Sequence, residues 1–172
     1  MSVKPRTLGE LNELAIALEH SAELLYRELA AMFAHVPEIA QFWNNMANEE
    51  VNHSQWLEEL HKSLEEHQLR KQVDSRFSEA TWTLLQTSPK ARLRGVTNLD
   101  EAYEMARDFE SSETNAIFDF LISDYLLATR ARDFLRLQVG VHVEHLNKGL
   151  PVKYQDRSAR LAVAAKKQGL LV

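Results

Sequence analysis

The chain has 172 residues, no cysteine and a formal charge of -5 at pH 7. That length fits one domain with a real core. The missing cysteine removes disulfides, thiol catalysis, thiolate metal sites and cysteine-ligated iron centres, and the negative charge gives no general attraction to nucleic acid or to an anionic membrane.

No segment is apolar for the ~18 residues that a membrane span needs, and Glu10 precedes any long apolar run. Neither a signal peptide nor a membrane span is therefore expected, and the cytoplasm is the default location. Glycine and proline are scarce, and the stretches Glu10–Val36 and Val96–Val139 contain neither. In the first, Leu11, Leu14, Leu18, Ala22, Leu25, Leu29, Met32 and Phe33 recur at spacings of three and four. Ala102, Met105, Phe109, Ile117 and Leu121 do the same in the second. Both patterns predict long amphipathic helices.

The first helix is expected from near Thr7 or Gly9 to about His35, because Pro37 favours an extended residue before it and suits the first turn of a new helix. The second runs from Pro37 to about Gln68. A connection of about 28 residues follows, and Phe77, Trp82, Leu84 and Leu85 predict that it packs on the other helices rather than looping freely. The third helix begins at NLDEA, with Asn98 or Thr97 as cap. Its break from the fourth is expected near Ala128 and Thr129, and the fourth ends around Lys148, before Gly149 and Pro151. The tail carries a short helix within Gln155–Lys167 that caps the helices, packs on a partner chain or frays; a docked or frayed terminus is the plainer reading. The expected organisation is all-α: a four-helix bundle over residues 7–149, built of two antiparallel hairpins joined by a long crossover, and a tail over 150–172.

Facing helices of such a bundle can build a metal site if polar residues meet at one level. Measured from the first turn, Glu19 lies roughly 26 Å up one arm, and Glu50 and His53 roughly 20 and 25 Å up the other. From the second turn, Glu110 and Glu113 lie roughly 28 and 23 Å out, opposite His142 and His145 at roughly 20 and 25 Å. Taken singly, each pair reads as solvated surface, since charged residues usually face water. Glu49, Glu58, Glu59, Glu65 and Glu66 are assigned to that surface, and His20, His35, His61 and His67 find no matched partner. Taken together, the residues at one depth would place four carboxylates inside, which metal cations commonly balance. Oxygen and nitrogen donors without sulfur suit iron or manganese, with zinc also accommodated. A purely structural bundle remains the alternative.

EHSAELLY, with Glu19 seven residues before Tyr26, followed by FWNNMANEEVNH, with Glu50 and His53, resembles the first half of a rubrerythrin-type domain of the ferritin-like superfamily. DFESSETNAIFDF supplies Glu110 and Glu113 where that family carries Glu-x-x-Glu on its third helix. The resemblance covers about residues 8–149. VHVEH departs from it, because His142 stands where a second Glu-x-x-His would begin and His145 where it would end. Glu144 points about 160° away from His142 around the helix and cannot replace the missing carboxylate.

The resemblance implies a di-iron centre that reacts with dioxygen or hydrogen peroxide. It implies Glu50 and Glu113 as bridging carboxylates, Glu19 and Glu110 as terminal or mobile ones, and His53 and His145 as one ligand to each metal. His142 would be a third nitrogen ligand or a hydrogen-bond donor behind the ligands. Tyr26, the expected catalytic side chain, would donate a hydrogen bond into the site or lie on an electron path. The family's usual electron-donor domain needs cysteine, so a separate electron donor is expected. A homodimer is expected as well, with the Trp56 and Trp82 regions as candidate faces. The competing readings are a metal-free bundle with a structural or partner-binding role, and a site that binds metal without turnover.

Overall fold

The computed structural model describes residues 7–73, 85–110, 142 and 144–166. Helix α1 spans Leu8–Met32. It starts where the sequence provides a reciprocal cap: the Thr7 hydroxyl accepts from Glu10 N–H, and the Glu10 carboxylate accepts from Thr7 N–H. All eight apolar residues of its predicted stripe are buried. The helix ends three residues short of His35, and Val36, at φ -122° and ψ 88°, lies outside the helical region ahead of Pro37.

Helix α2, Pro37–Ser63, has proline at its first turn and buries Ile39, Phe42, Trp43, Met46, Ala47, Glu50, Ser54, Leu57 and Leu60. It packs antiparallel along α1, so that one apolar seam holds the hairpin. Gln68 lies beyond its end. Leu64 is extended, and a separate turn of helix, α3 (Glu66–Leu69), is capped by Glu65, whose N–H donates to Gln68 Oε1. A local cap thus breaks the helix with no glycine or proline to announce it.

Part of the long connection does pack on the bundle. Leu8 N–H donates to Lys71 C=O, Thr7 pairs with Gln72, and Leu85 packs at the core's edge. Phe77, Trp82 and Leu84 lie outside the described residues. A short helix α4, Pro89–Arg92, leads through Gly95, whose φ of 99° is a conformation that other residues avoid.

Helix α5, Leu99–Phe109, is capped by Asn98, whose side chain accepts from Glu101 N–H. It buries Leu99, Ala102, Tyr103, Ala106 and Phe109. The expected break near Ala128 and Thr129 lies outside the described residues, as do Ile117 and Leu121. Residues 142 and 144–148 are helical, and the turn beyond them is tight: a Cβ on Gly149 would sit 2.4 Å from the His145 carbonyl oxygen, too close for any side chain. Leu146 and Leu150 join the buried residues of α1, α2 and α5 in one common core, in keeping with a four-helix bundle.

The tail is docked. Leu99 N–H donates to Val163 C=O, Ala165 N–H to Thr97 C=O and Lys166 N–H to Met32 C=O. Its helix α6, Arg157–Leu161, sends Arg157 and Arg160 to the two oxygens of Asp100, each at 3.0 Å, and Arg160 covers the Tyr103 ring at 4.7 Å. Among the described residues, no helix is long and apolar enough to cross a membrane.

Candidate metal centre

Six polar side chains meet inside the bundle. Glu19 and Tyr26 come from one stripe of α1, two turns apart, and Glu50 and His53 from one face of α2. Glu110 follows the last residue of α5, and His142 comes from the fourth arm. Glu19, Glu50, Glu110 and His142 are all buried, and the His53 side chain is largely so.

The contacts run in a short chain. His53 Nδ1 lies 3.1 Å from Glu50 Oε2 and 3.6 Å from Glu19 Oε2. His142 Nε2 lies 3.0 Å from Glu50 Oε1 and 3.2 Å from Glu110 Oε1. The Tyr26 hydroxyl donates to Glu110 Oε1 at 2.5 Å, and its ring stacks on Trp43 at 5.9 Å between centroids.

Protons alone can balance this cluster. Burial raises the Glu19 carboxyl well above its usual range, and the neighbouring Glu50 charge adds to the rise. Burial would raise Glu50 too, but the His142 charge and the contacts with His53 and Glu19 outweigh it and hold Glu50 ionised. Burial would likewise discharge His53, yet Glu19 and Glu50 push it up to about 10. His142 is raised for the same reason, by Glu50 and Glu110 against its own desolvation. Burial, then the Glu110 charge, raises the Tyr26 phenol, so it stays a donor.

A divalent cation could replace those protons, because ligands give them up on binding. Two features fit one. Glu50, His53 and His142 each present a ligand atom, all within 4.8 Å of one another. Glu50 Oε1 and His142 Nε2 lie 3.0 Å apart, yet neither has a well-formed hydrogen bond among the described residues, and buried polar atoms left so are costly unless something else binds them. The donor set is oxygen and imidazole nitrogen, which suits iron, manganese or zinc.

The remaining candidates are placed differently. Glu113 lies outside the described residues. His145, expected as the metal-holding histidine of the fourth helix, has a side chain 54% exposed and meets Glu49 at 2.6 Å, outside the buried group. His142 takes the inward position instead. Glu144 faces solvent and pairs with Lys148 at 2.8 Å, as its angle on the helix requires. The residue that sequence reasoning missed is Glu49, assigned to the surface but in contact with both His142 and His145. Its one signal was adjacency to Glu50, which places it on the shoulder of the same helix.

A family model described as Rubrerythrin matches residues 10–122. No curated protein and no solved structure matches the chain.

Proposed function

Since the chain belongs to the rubrerythrin family and has a ferritin-like four-helix bundle, we propose that it is a non-haem di-metal oxidoreductase, peroxidase-like or ferroxidase-like, that reacts with hydrogen peroxide or dioxygen. The observation that carries this reading is the buried Glu50, His53 and His142 group. Its natural cofactor is two iron ions, with manganese or zinc as substitutes.

Glu50 lies between the two buried imidazoles and is the proposed bridge. Glu19 and Glu110 flank it, and Glu113 is proposed to join them from the third helix. Iron bound there would supply one-electron steps between its ferrous and ferric states. The chain's own groups do the rest. The bundle interior keeps bulk water from the ligands, Glu19 can accept or release a proton beside Glu50, and the Tyr26 hydroxyl offers a proton next to Glu110. With no cysteine to hold an electron-transfer centre, reductant is proposed to come from a separate donor. A cytoplasmic homodimer completes the proposal.

A second reading is a site that binds one metal without turnover, favoured by the fact that three residues suffice for the compact group. Anaerobic loading with ferrous iron followed by stoichiometric peroxide separates the two. The first reading expects two irons per chain and their rapid oxidation, both lost in Glu50→Ala. One metal per chain, unchanged by peroxide, would decide for the second.

A further inference from the structure

Glu49 precedes Glu50 on α2 and lies about 100° further round the helix. Its Oε2 is 2.8 Å from Nδ1 of His142, and its Oε1 is 2.6 Å from Nδ1 of His145. The side chains of His145, Glu49 and His142 are 54%, 24% and 4% exposed, so the three form a line from solvent to the buried cluster. An ionised carboxylate can only accept, and Glu49 presents one oxygen to each of the two imidazole Nδ1 atoms. Each imidazole therefore donates its Nδ1 proton to it.

The consequence for His142 is specific. An imidazole that keeps its proton on Nδ1 has only Nε2 left with a lone pair. His142 Nε2 is the atom that faces Glu50 and Glu110, and it has no well-formed hydrogen bond among the described residues. Glu49 sits on the opposite edge of the same ring, with both oxygens engaged, so it cannot reach a cation held at Nε2 without the ring turning over. Resting on the reading that the cluster holds metal, we propose that Glu49 is a positioning residue: it fixes His142 with its proton on Nδ1 and aims Nε2 at the cation. His145 acts one step further out, steadying the second Glu49 oxygen from the solvent side.

The test uses the full chain and zinc, which is diamagnetic. Zinc affinity by chelator competition and 15N-histidine spectra of the zinc-loaded protein are compared for wild type, Glu49→Gln, Glu49→Ala and His145→Gln. The wild type should be ligated through Nε2 of His142 with a protected Nδ1 proton. Glu49→Ala should bind zinc 10–100-fold more weakly at unchanged stoichiometry, with that proton signal lost. Glu49→Gln, whose amide oxygen can still accept from one imidazole, should recover part of the affinity, and His145→Gln should keep the stoichiometry. Loss of a whole metal equivalent in Glu49→Ala would make Glu49 a ligand and overturn the inference, as would unchanged affinity with the Nδ1 proton still protected. Circular dichroism of the variants separates these outcomes from misfolding. A wild type that takes up neither zinc nor iron would defeat the underlying reading of the site, an outcome distinct from metal uptake that ignores Glu49.

Discussion

The Tyr26 hydroxyl and Glu110 Oε1, 84 positions apart in sequence, meet at 2.5 Å inside the bundle. The bond ties α1 to the end of α5 at the level of the candidate ligands. Removing the donor leaves a buried carboxylate oxygen with one partner fewer. Tyr26→Phe should cost about 1–3 kcal/mol of stability in denaturant unfolding of the metal-free protein. A variant as stable as wild type would show that the bond contributes nothing net.

Metal should stabilise the fold through the same cluster. Ferrous iron or zinc at about 100 times its dissociation constant should add about 2.7 kcal/mol to the unfolding free energy. Glu50→Gln removes the carboxylate common to both histidine contacts, so its melting temperature should ignore added metal. A shift of wild-type size in that variant would place the bound ion elsewhere.

The metal-free protein should lose stability as pH rises. His53 is pushed up to about 10 from 6.5, so between those values the folded chain holds a proton that the unfolded chain has released. That stabilisation is fully present below pH 6.5 and is lost as pH rises through about 10. Glu19, also raised, acts in the same direction from a lower starting pH. Glu50, lowered, adds stability above the usual carboxylate range that only strong acid removes. The melting temperature should fall by on the order of 10 °C between pH 6.5 and 10. His53→Gln should flatten the slope, and an equally steep slope in that variant would assign it to other groups.

Asn12 is fully buried on α1, seven residues before Glu19 on the same stripe, and neither atom of its amide has a hydrogen-bond partner among the described residues. Such a group costs about 1–3 kcal/mol relative to an apolar one of similar shape. Asn12→Leu should therefore raise the melting temperature by several degrees. A lower one would mean that the amide is satisfied by a bound polar molecule, such as an internal water.

Asp100 holds the tail by accepting from both Arg157 and Arg160, and Arg160 is buried with it. Leaving Arg160 without its counter-ion should cost about 3–5 kcal/mol in Asp100→Ala. The double variant with Arg160→Ala should lose less than the sum of the singles. Strict additivity, measured by urea unfolding, would show that the pair is not coupled.

Much of this was legible in one dimension. Spacings of three and four drew the buried faces of α1 and α2, and the same periodicity put Glu19 on the Tyr26 stripe and Glu50 on the His53 face. Caps at Thr7 and Asn98 and the proline at residue 37 marked helix starts because they act within one turn. The break at Leu64 escaped notice, since its cap at Glu65 and Gln68 looks like any charged helical stretch.

Height along the bundle also followed from sequence, because each residue adds a fixed rise of about 1.5 Å. Rotation did not. His142 and His145 differ by about 60° around their helix, and nothing local says which of them faces the partner helices. That choice depends on how the fourth arm is rolled against α2, which the packing of the whole core determines. It turned His142 inward onto Glu50 and Glu110, left His145 half in solvent, and brought Glu49 between them. Periodicity and rise per residue thus set which residue types stand at the level of the site, and the packing of the arms set which of them touch.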